Sequence, residues 1–217
     1  MIPLQFALRR RMMMAGGGGA PISDLPLGAL INVGTDGGAG TPNYEIADKD
    51  NLVSGGVVLV RKNIYSKSAF NSTTIYPDGT LDNLMKTTIY NKIPQKLRNK
   101  MIDTTFQLYG PGEITRKIFA LTYTMVGYGI NHGVAEGKAL QLYTSNAIRV
   151  KLFNNVVTSW WLSSKSDASY AYNVNGIGGS NLYGASGVIG VVPAFVIPSK
   201  TPYDPTPNTD GSYNLIL

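Results

Sequence analysis

The chain contains no cysteine and a single histidine, His132. Without thiols there is no disulfide framework, no thiolate metal site and no cysteine nucleophile. One imidazole cannot supply the histidine clusters of zinc centres. Acids are also scarce, with thirteen Asp and Glu in 217 residues and none before Asp24. They are scattered, and no HExxH, GxSxG or EF-hand loop occurs. Long apolar runs are missing as well: Gly184 to Ile197, the longest, is shorter than a membrane span and contains Pro193. At the N-terminus the apolar residues precede the positive charges, the reverse of a secretory signal. These absences predict a soluble protein without membrane insertion, metal, cofactor or catalytic activity. The remaining route to catalysis is glycoside cleavage by a carboxylate pair drawn from Glu45, Asp48, Asp50, Glu113, Glu136 and Asp167, which no spacing favours.

What is present is glycine, tyrosine and small polar residues: 25 Gly and 13 Tyr, with abundant Ser, Thr and Asn. That mixture predicts a loop-rich, strand-containing α+β protein rather than a helical bundle, with a surface suited to adaptable contacts. Lys and Arg number 19 against 13 acids, a net charge of +6. Half of the excess is Arg9, Arg10 and Arg11. No dense basic run follows them, which argues against nucleic-acid binding.

Three sections are expected. Residues 1–22 form an N-terminal docking arm and glycine linker: Ile2, Leu4, Phe6 and Leu8, then Arg9, Arg10 and Arg11, then methionines and Gly16–Gly19. An apolar, basic arm tethered by glycines suits a peptide that orders on a partner. Residues 23–199 form the main domain. Within it, Leu27–Val33, Tyr44–Asp48, Gly55–Arg61 and Lys117–Tyr123 read as strands, and Thr35–Gly40 reads as a turn rather than a phosphate loop. Leu81, Leu84, Met85, Thr88 and Ile89 form the apolar stripe of a helix capped by Asp78 or Thr80. A second helix starts at Pro94 with Leu97, Met101 and Ile102 inward, and Leu140–Leu152 is partly helical. His132, in a glycine-bearing loop, reads as a loop residue. Residues 200–217 form a proline-rich C-terminal tail whose last residues, Ser212–Leu217, can pair as a strand with this chain or a partner.

The core is expected around Trp160, Trp161 and Phe195. Adjacent strand residues face opposite ways, so the two indoles serve two different layers. Between Tyr170 and Gly187, two short strands joined by Gly176–Ser180 display Tyr170, Tyr172, Asn173, Asn175, Asn181 and Tyr183. Aromatic faces beside amides suit sugar recognition, the rings stacking on C–H faces and the amides pairing with hydroxyls. These six residues are the candidate ligand site. An ordinary Tyr/Asn-rich hairpin is the plainer reading of the same residues.

Several segments then carry a resemblance: Ile118–Thr124, Glu136-Gly137, Tyr143–Arg149, Trp160-Trp161-Leu162-Ser163-Ser164, Tyr170–Val174 and Val192-Pro193-Ala194-Phe195-Val196-Ile197. In this order they resemble an uncharacterised domain of bacteriophage and gut-bacterial surface proteins. That domain is typified by a Trp-Leu-Arg-Ser-Pro motif and a late Val-Arg-Pro-Ala-Phe motif, and is similar to the C-type-lectin-like fold of formylglycine-generating enzymes and phage receptor-binding proteins. Ser163, Lys165 and Val192 depart from the motifs, which implies that an arginine pairing of the relatives is absent here. The missing cysteines and calcium signatures imply neither formylglycine-generating activity nor calcium-dependent sugar binding. The resemblance implies a virion structural protein, assembled in the bacterial host cytoplasm and homo-oligomeric in the particle. Its arm would hold other capsid or tail proteins, and its lectin-like domain would hold a host-surface glycan. The alternative is a purely structural capsid decoration or tail/neck connector; a carbohydrate-active enzyme is the third reading.

Overall fold

The computed structural model describes residues 19–217. The expected arm residues Ile2, Leu4, Phe6, Leu8, Arg9, Arg10 and Arg11 lie outside them. The rest is a mixed α/β structure, mostly strands with few helices. Strands β1 (Ala20–Pro21), β2 (Leu30–Asn32), β3 (Asn43–Lys49), β4 (Gly56–Arg61) and β5 (Ser66–Ala69) come first. Helix α1 begins as Thr80–Asn83, widens to a π-helix over Leu84–Ile89 and closes as Tyr90–Lys92; α2 is Gln95–Arg98. Strands β6 (Thr104–Leu108), β7 (Gly112–Arg116) and β8 (Ile118–Ala120) precede the short helix α3 (Asn146–Arg149). Then follow β9 (Leu152–Phe153), β10 (Val156–Val157), β11 (Trp160–Lys165), β12 (Tyr170–Val174), β13 (Ser180–Gly184), β14 (Val188–Val191), β15 (Pro193–Pro198), β16 (Pro202–Tyr203) and β17 (Tyr213–Asn214).

A six-stranded sheet runs in the order β17-β2-β3-β4-β15-β8, and a five-stranded sheet in the order β13-β12-β11-β14-β5. The apolar run around Phe195 serves both. Val191 ends β14 in the smaller sheet, Val192 alone turns the corner, and Pro193 opens β15 in the larger one. β4 and β15 are central and buried throughout apart from Pro198, which explains their unbroken apolar sequence. Phe195 pairs with Leu59 on one side and Ile118 on the other, and its ring meets Tyr44 at 5.0 Å. Trp160 and Trp161 are both fully buried, on opposite faces of β11. Trp161 packs edge-on to Phe70 at 5.5 Å and donates its indole N–H to Ser68 O. Trp160 faces the other layer and donates to Arg149 O.

Five local expectations change. The first strand shrinks from Leu27–Val33 to β2, because Gly28 takes φ +82° and turns its N–H to Ile46 O. The strand expected over Lys117–Tyr123 is β8 alone, after which the chain leaves the sheet. The α1 stripe is Leu81, Met85 and Ile89, while Thr88 is exposed, since the wide π turn brings every fourth residue onto one face. Neither Asp78 nor Thr80 caps α1 by its side chain; the Asp78 N–H instead donates to Asp82 Oδ2 at 2.8 Å. The second helix is shorter than expected: α2 buries Leu97 but ends at Arg98, and the buried Met101 and half-buried Ile102 follow it in extended chain, where the Ile102 N–H bonds to Val196 O.

Buried charge joins the segments. The turn at Thr35–Gly40 carries Asp36, which meets Arg61 at 2.6 Å with both side chains excluded from solvent. Arg61 spends its remaining donors on Asn63 O, Ile64 O and Ala39 O, and Tyr44 OH donates to Asp36. Lys151 donates to Glu45 Oε2 and to the Arg61 and Lys62 carbonyls. Burial pulls its ammonium down and Glu45 pushes it back up. The C-terminal segment is tied in: β16 pairs with β1, and β17 pairs in parallel with β2. No helix among the described residues is long and apolar enough to cross a membrane.

Candidate functional site

The six sequence-selected residues do not share one face. In the register of β11, β12 and β13, Trp160 stands opposite Val174, Trp161 opposite Asn173, and Asn173 opposite Asn181. Strand alternation therefore puts Tyr170 and Tyr172 on the Trp160 face and Asn173, Asn181 and Tyr183 on the Trp161 face. Asn175 belongs to neither: its Oδ1 accepts the N–H groups of Ile177 and Gly179 and closes the turn. On the Trp161 face, Tyr183 lies exposed against Trp161 at 5.9 Å, and the buried Asn173 amide has no hydrogen-bond partner. On the Trp160 face something larger assembles.

There Tyr172 meets Tyr123 at 4.5 Å, and Tyr123 meets Tyr128 at 5.3 Å. The Arg149 guanidinium lies over the Tyr128 ring at 4.7 Å. The three rings are half-buried, Tyr170 and Leu182 on the same hairpin face are exposed, and Leu182 pairs directly with Tyr172. The result is an aromatic ledge running from the hairpin to α3. Among the six residues first selected, only Tyr170 and Tyr172 belong to it.

The ledge is held from three directions. Between Trp161 and Lys165 strand β11 slips its register against β12. The bulge releases Ser163 N–H to Leu121 O and lets the Ser164 hydroxyl accept from Tyr123 N at 2.8 Å. Ser163, the motif departure, is buried and donates its own hydroxyl to Ala120 O. Ser164 in turn donates to the Glu136 carboxyl, which also accepts from Tyr109 N and Asn131 Nδ2. Among the described residues no cation forms an ion pair with Glu136, and burial raises its pKa against those donors. The third tie is the hairpin turn, where Tyr128 OH donates to Gly178 O at 2.6 Å. A Cβ at Gly178 would stand 1.8 Å from Asn146 O, and its φ is +78°, so only glycine lets the turn sit on α3. Burial pushes the Tyr128 phenol up to about 12, against the pull of Arg149, so it stays a donor at neutral pH.

Tyr123, Tyr128 and Arg149 escape a reading by periodicity because all three stand outside or at the ends of regular elements. Their one signal is local: Tyr128 flanked by Gly127 and Gly129 in a loop is an aromatic without a strand to bury it. His132, also in that region, takes φ +46° and stacks on Tyr109 at 4.5 Å, exposed to solvent. The acids considered for glycoside cleavage are each engaged separately. Glu45 binds Lys62 and Lys151, Asp48 accepts from Leu52 N and Gln141 N, Asp50 from Gly55 N, and Asp167 from Ser169 N and Tyr170 N. Glu113 is exposed on β7. Among the described residues, no three His, Asp or Glu side chains are grouped to hold a metal. Two clefts of about 180 and 250 Å³, near Leu97 and near Tyr90, take no residue from the hairpin. At its hairpin end the aromatic ledge is open to solvent through the exposed Tyr170 and Leu182.

The sequence pattern of a family described as a domain of unknown function, DUF6273, matches residues 54–199, and the chain belongs to that family. The match spans β4 through β15 and contains the whole ledge. No curated protein and no solved structure matches the chain.

Proposed function

We propose that this DUF6273 chain is a bacteriophage virion structural protein whose domain, of C-type-lectin-like fold, holds a host-surface glycan on the tyrosine ledge. The observation that carries the reading is the row Tyr172, Tyr123 and Tyr128, backed by a bulged strand and left open to solvent. Open aromatic faces bordered by hydroxyls stack on the C–H faces of sugars and pair with their hydroxyls, without a closed cavity. The virion assignment rests on the resemblance of the Trp-Trp-Leu-Ser-Ser and Val-Pro-Ala-Phe segments to phage surface domains. In this reading the arm at residues 1–15 docks on capsid or tail proteins.

The test is a glycan array and titration with the full chain. Tyr172→Ala and Tyr123→Ala should each weaken binding roughly tenfold or more, from stacking worth about 0.5–1.5 kcal/mol plus lost area. Tyr183→Ala, on the opposite sheet face, should leave it unchanged. Absence of any glycan binding would sink the reading. A second reading, a purely structural decoration or connector, is favoured by the exposed Ile177, Val188 and Val156, which a neighbouring subunit would cover. It predicts no glycan binding, with loss of particle incorporation when those three become Ser.

A further inference from the structure

Arg149 is a cation without an anion. Its side chain is buried, the residue being 6% exposed, yet it makes no ion pair among the described residues. Residues 1–18 contain no acid, so they cannot supply one. The guanidinium donates from Nε to Val126 O at 2.6 Å, from Nη1 to Asn146 Oδ1 at 2.8 Å and from Nη2 to Tyr143 O at 2.9 Å. A guanidinium carries five N–H donors, so one on each terminal nitrogen is left over. Other buried cations of this chain contrast with it: Arg61 has Asp36, and Lys151 has Glu45. A buried charge compensated by neutral acceptors and the Tyr128 ring, without an anion, is costly, and an arriving anion recovers part of that cost.

The surroundings say where such an anion would come from. Nη2 lies beneath Gly127, an exposed residue whose Cβ, if it had one, would stand 3.0 Å from that nitrogen. A side chain there would press on the guanidinium, so the glycine keeps this approach free of one. Asn146, which touches Nη1, is exposed too. The charge therefore sits at the α3 end of the ledge, directly against Tyr128, the last of the three rings.

We infer that the ledge selects acidic sugars: Arg149 receives the carboxylate of a uronic-acid residue whose neighbours lie on Tyr128, Tyr123 and Tyr172. This rests on the adhesion reading and sharpens it from glycan to carboxylated glycan. Two free N–H groups on a planar fork match the two oxygens of a carboxylate, which a neutral hydroxyl does not.

The experiment compares oligogalacturonate with its methyl ester, titrated into the full chain and into Asn146→Asp. That substitution is isosteric, at an exposed position, and installs a carboxylate against Nη1, so it neutralises Arg149 without removing it. The wild-type chain should bind the acid about tenfold or more tighter than the ester, with the preference shrinking as salt rises. Asn146→Asp should lose the preference, binding acid and ester alike. Equal binding of acid and ester by the wild-type chain would overturn the inference while leaving glycan adhesion standing. An undiminished preference in Asn146→Asp would also overturn it, by placing the carboxylate elsewhere. Binding of neither ligand, nor of any other glycan, would remove the adhesion reading itself and the inference with it.

Discussion

The indole N–H of Trp160 donates to the carbonyl of Arg149 at 3.0 Å. A fully buried side chain of the five-stranded sheet thus fixes the backbone of the residue that ends the aromatic ledge. Burial of the ring and positioning of the site are one interaction seen from two sides. Trp160→Ala should cost about 3–5 kcal/mol, as should Phe195→Ala in the larger sheet. Trp160→Phe retains most of the buried area but strands the carbonyl, at a cost of about 1–3 kcal/mol. Urea denaturation of the three variants measures this. Losses below about 1 kcal/mol in all of them would place the core elsewhere.

The Asp36–Arg61 pair offers a sharper contrast. Asp36→Ala leaves a fully buried guanidinium without its anion, and should cost about 3–5 kcal/mol. Glu113→Ala, at an exposed position on β7, should change stability by less than about 0.5 kcal/mol. Denaturant midpoints of the two variants, measured side by side, decide whether the turn at Thr35–Gly40 is a structural clasp or a passive connection.

Stability should depend on pH through Glu136. Burial raises its pKa in the folded chain, so folding favours the protonated carboxyl. That contribution is complete below the unfolded value of about 4.3 and is lost as pH rises through the folded value. Glu136→Gln keeps the shape and cannot ionise. Relative to wild type, the variant should therefore gain stability as pH goes from 4 to 8 (roughly the range over which such a raised carboxyl ionises). A difference that stays flat across that range would mean that the donors from Ser164, Tyr109 and Asn131 offset burial completely.

Asn146→Asp carries a prediction independent of any ligand. An ion pair with Arg149 in place of a neutral contact should stabilise the fold by about 0.5–1 kcal/mol at low salt, and by less at high salt. Thermal melts at two ionic strengths test it. A destabilised variant would show that the Arg149 charge is already compensated by the Val126 and Tyr143 carbonyls.

Sequence reasoning worked where one physical signal dominated. The unbroken apolar residues of Gly56–Arg61 announce a central strand, and adjacent tryptophans must divide between two faces. It was weaker where geometry depends on distant partners. Nothing local marks Asp36 as the anion of Arg61, because both the turn and the strand are self-consistent without each other. The residues Val191–Ile197 have the composition of one strand, but the chain crosses from one sheet to the other at Val192. The ledge was half visible: Tyr170 and Tyr172 stand in a recognisable hairpin, whereas Tyr123, Tyr128 and Arg149 reach them only through a strand bulge and a glycine contact.

Strand β17 closes the six-stranded sheet by lying parallel to β2, with Tyr213 beside Ile31. During synthesis this partnership joins segments far apart in the chain. The outer edge at Ile31 stays uncovered until Tyr213 has been made. The centre is delayed too, since β4 has no β15 beside it until Phe195 has been made. Between the synthesis of Val60 and that of Phe195 the nascent chain therefore carries the Val57–Val60 strand with an open edge, the kind of surface that recruits other strands. Expression conditions that slow synthesis lengthen this exposure, whereas a released chain closes both gaps at once.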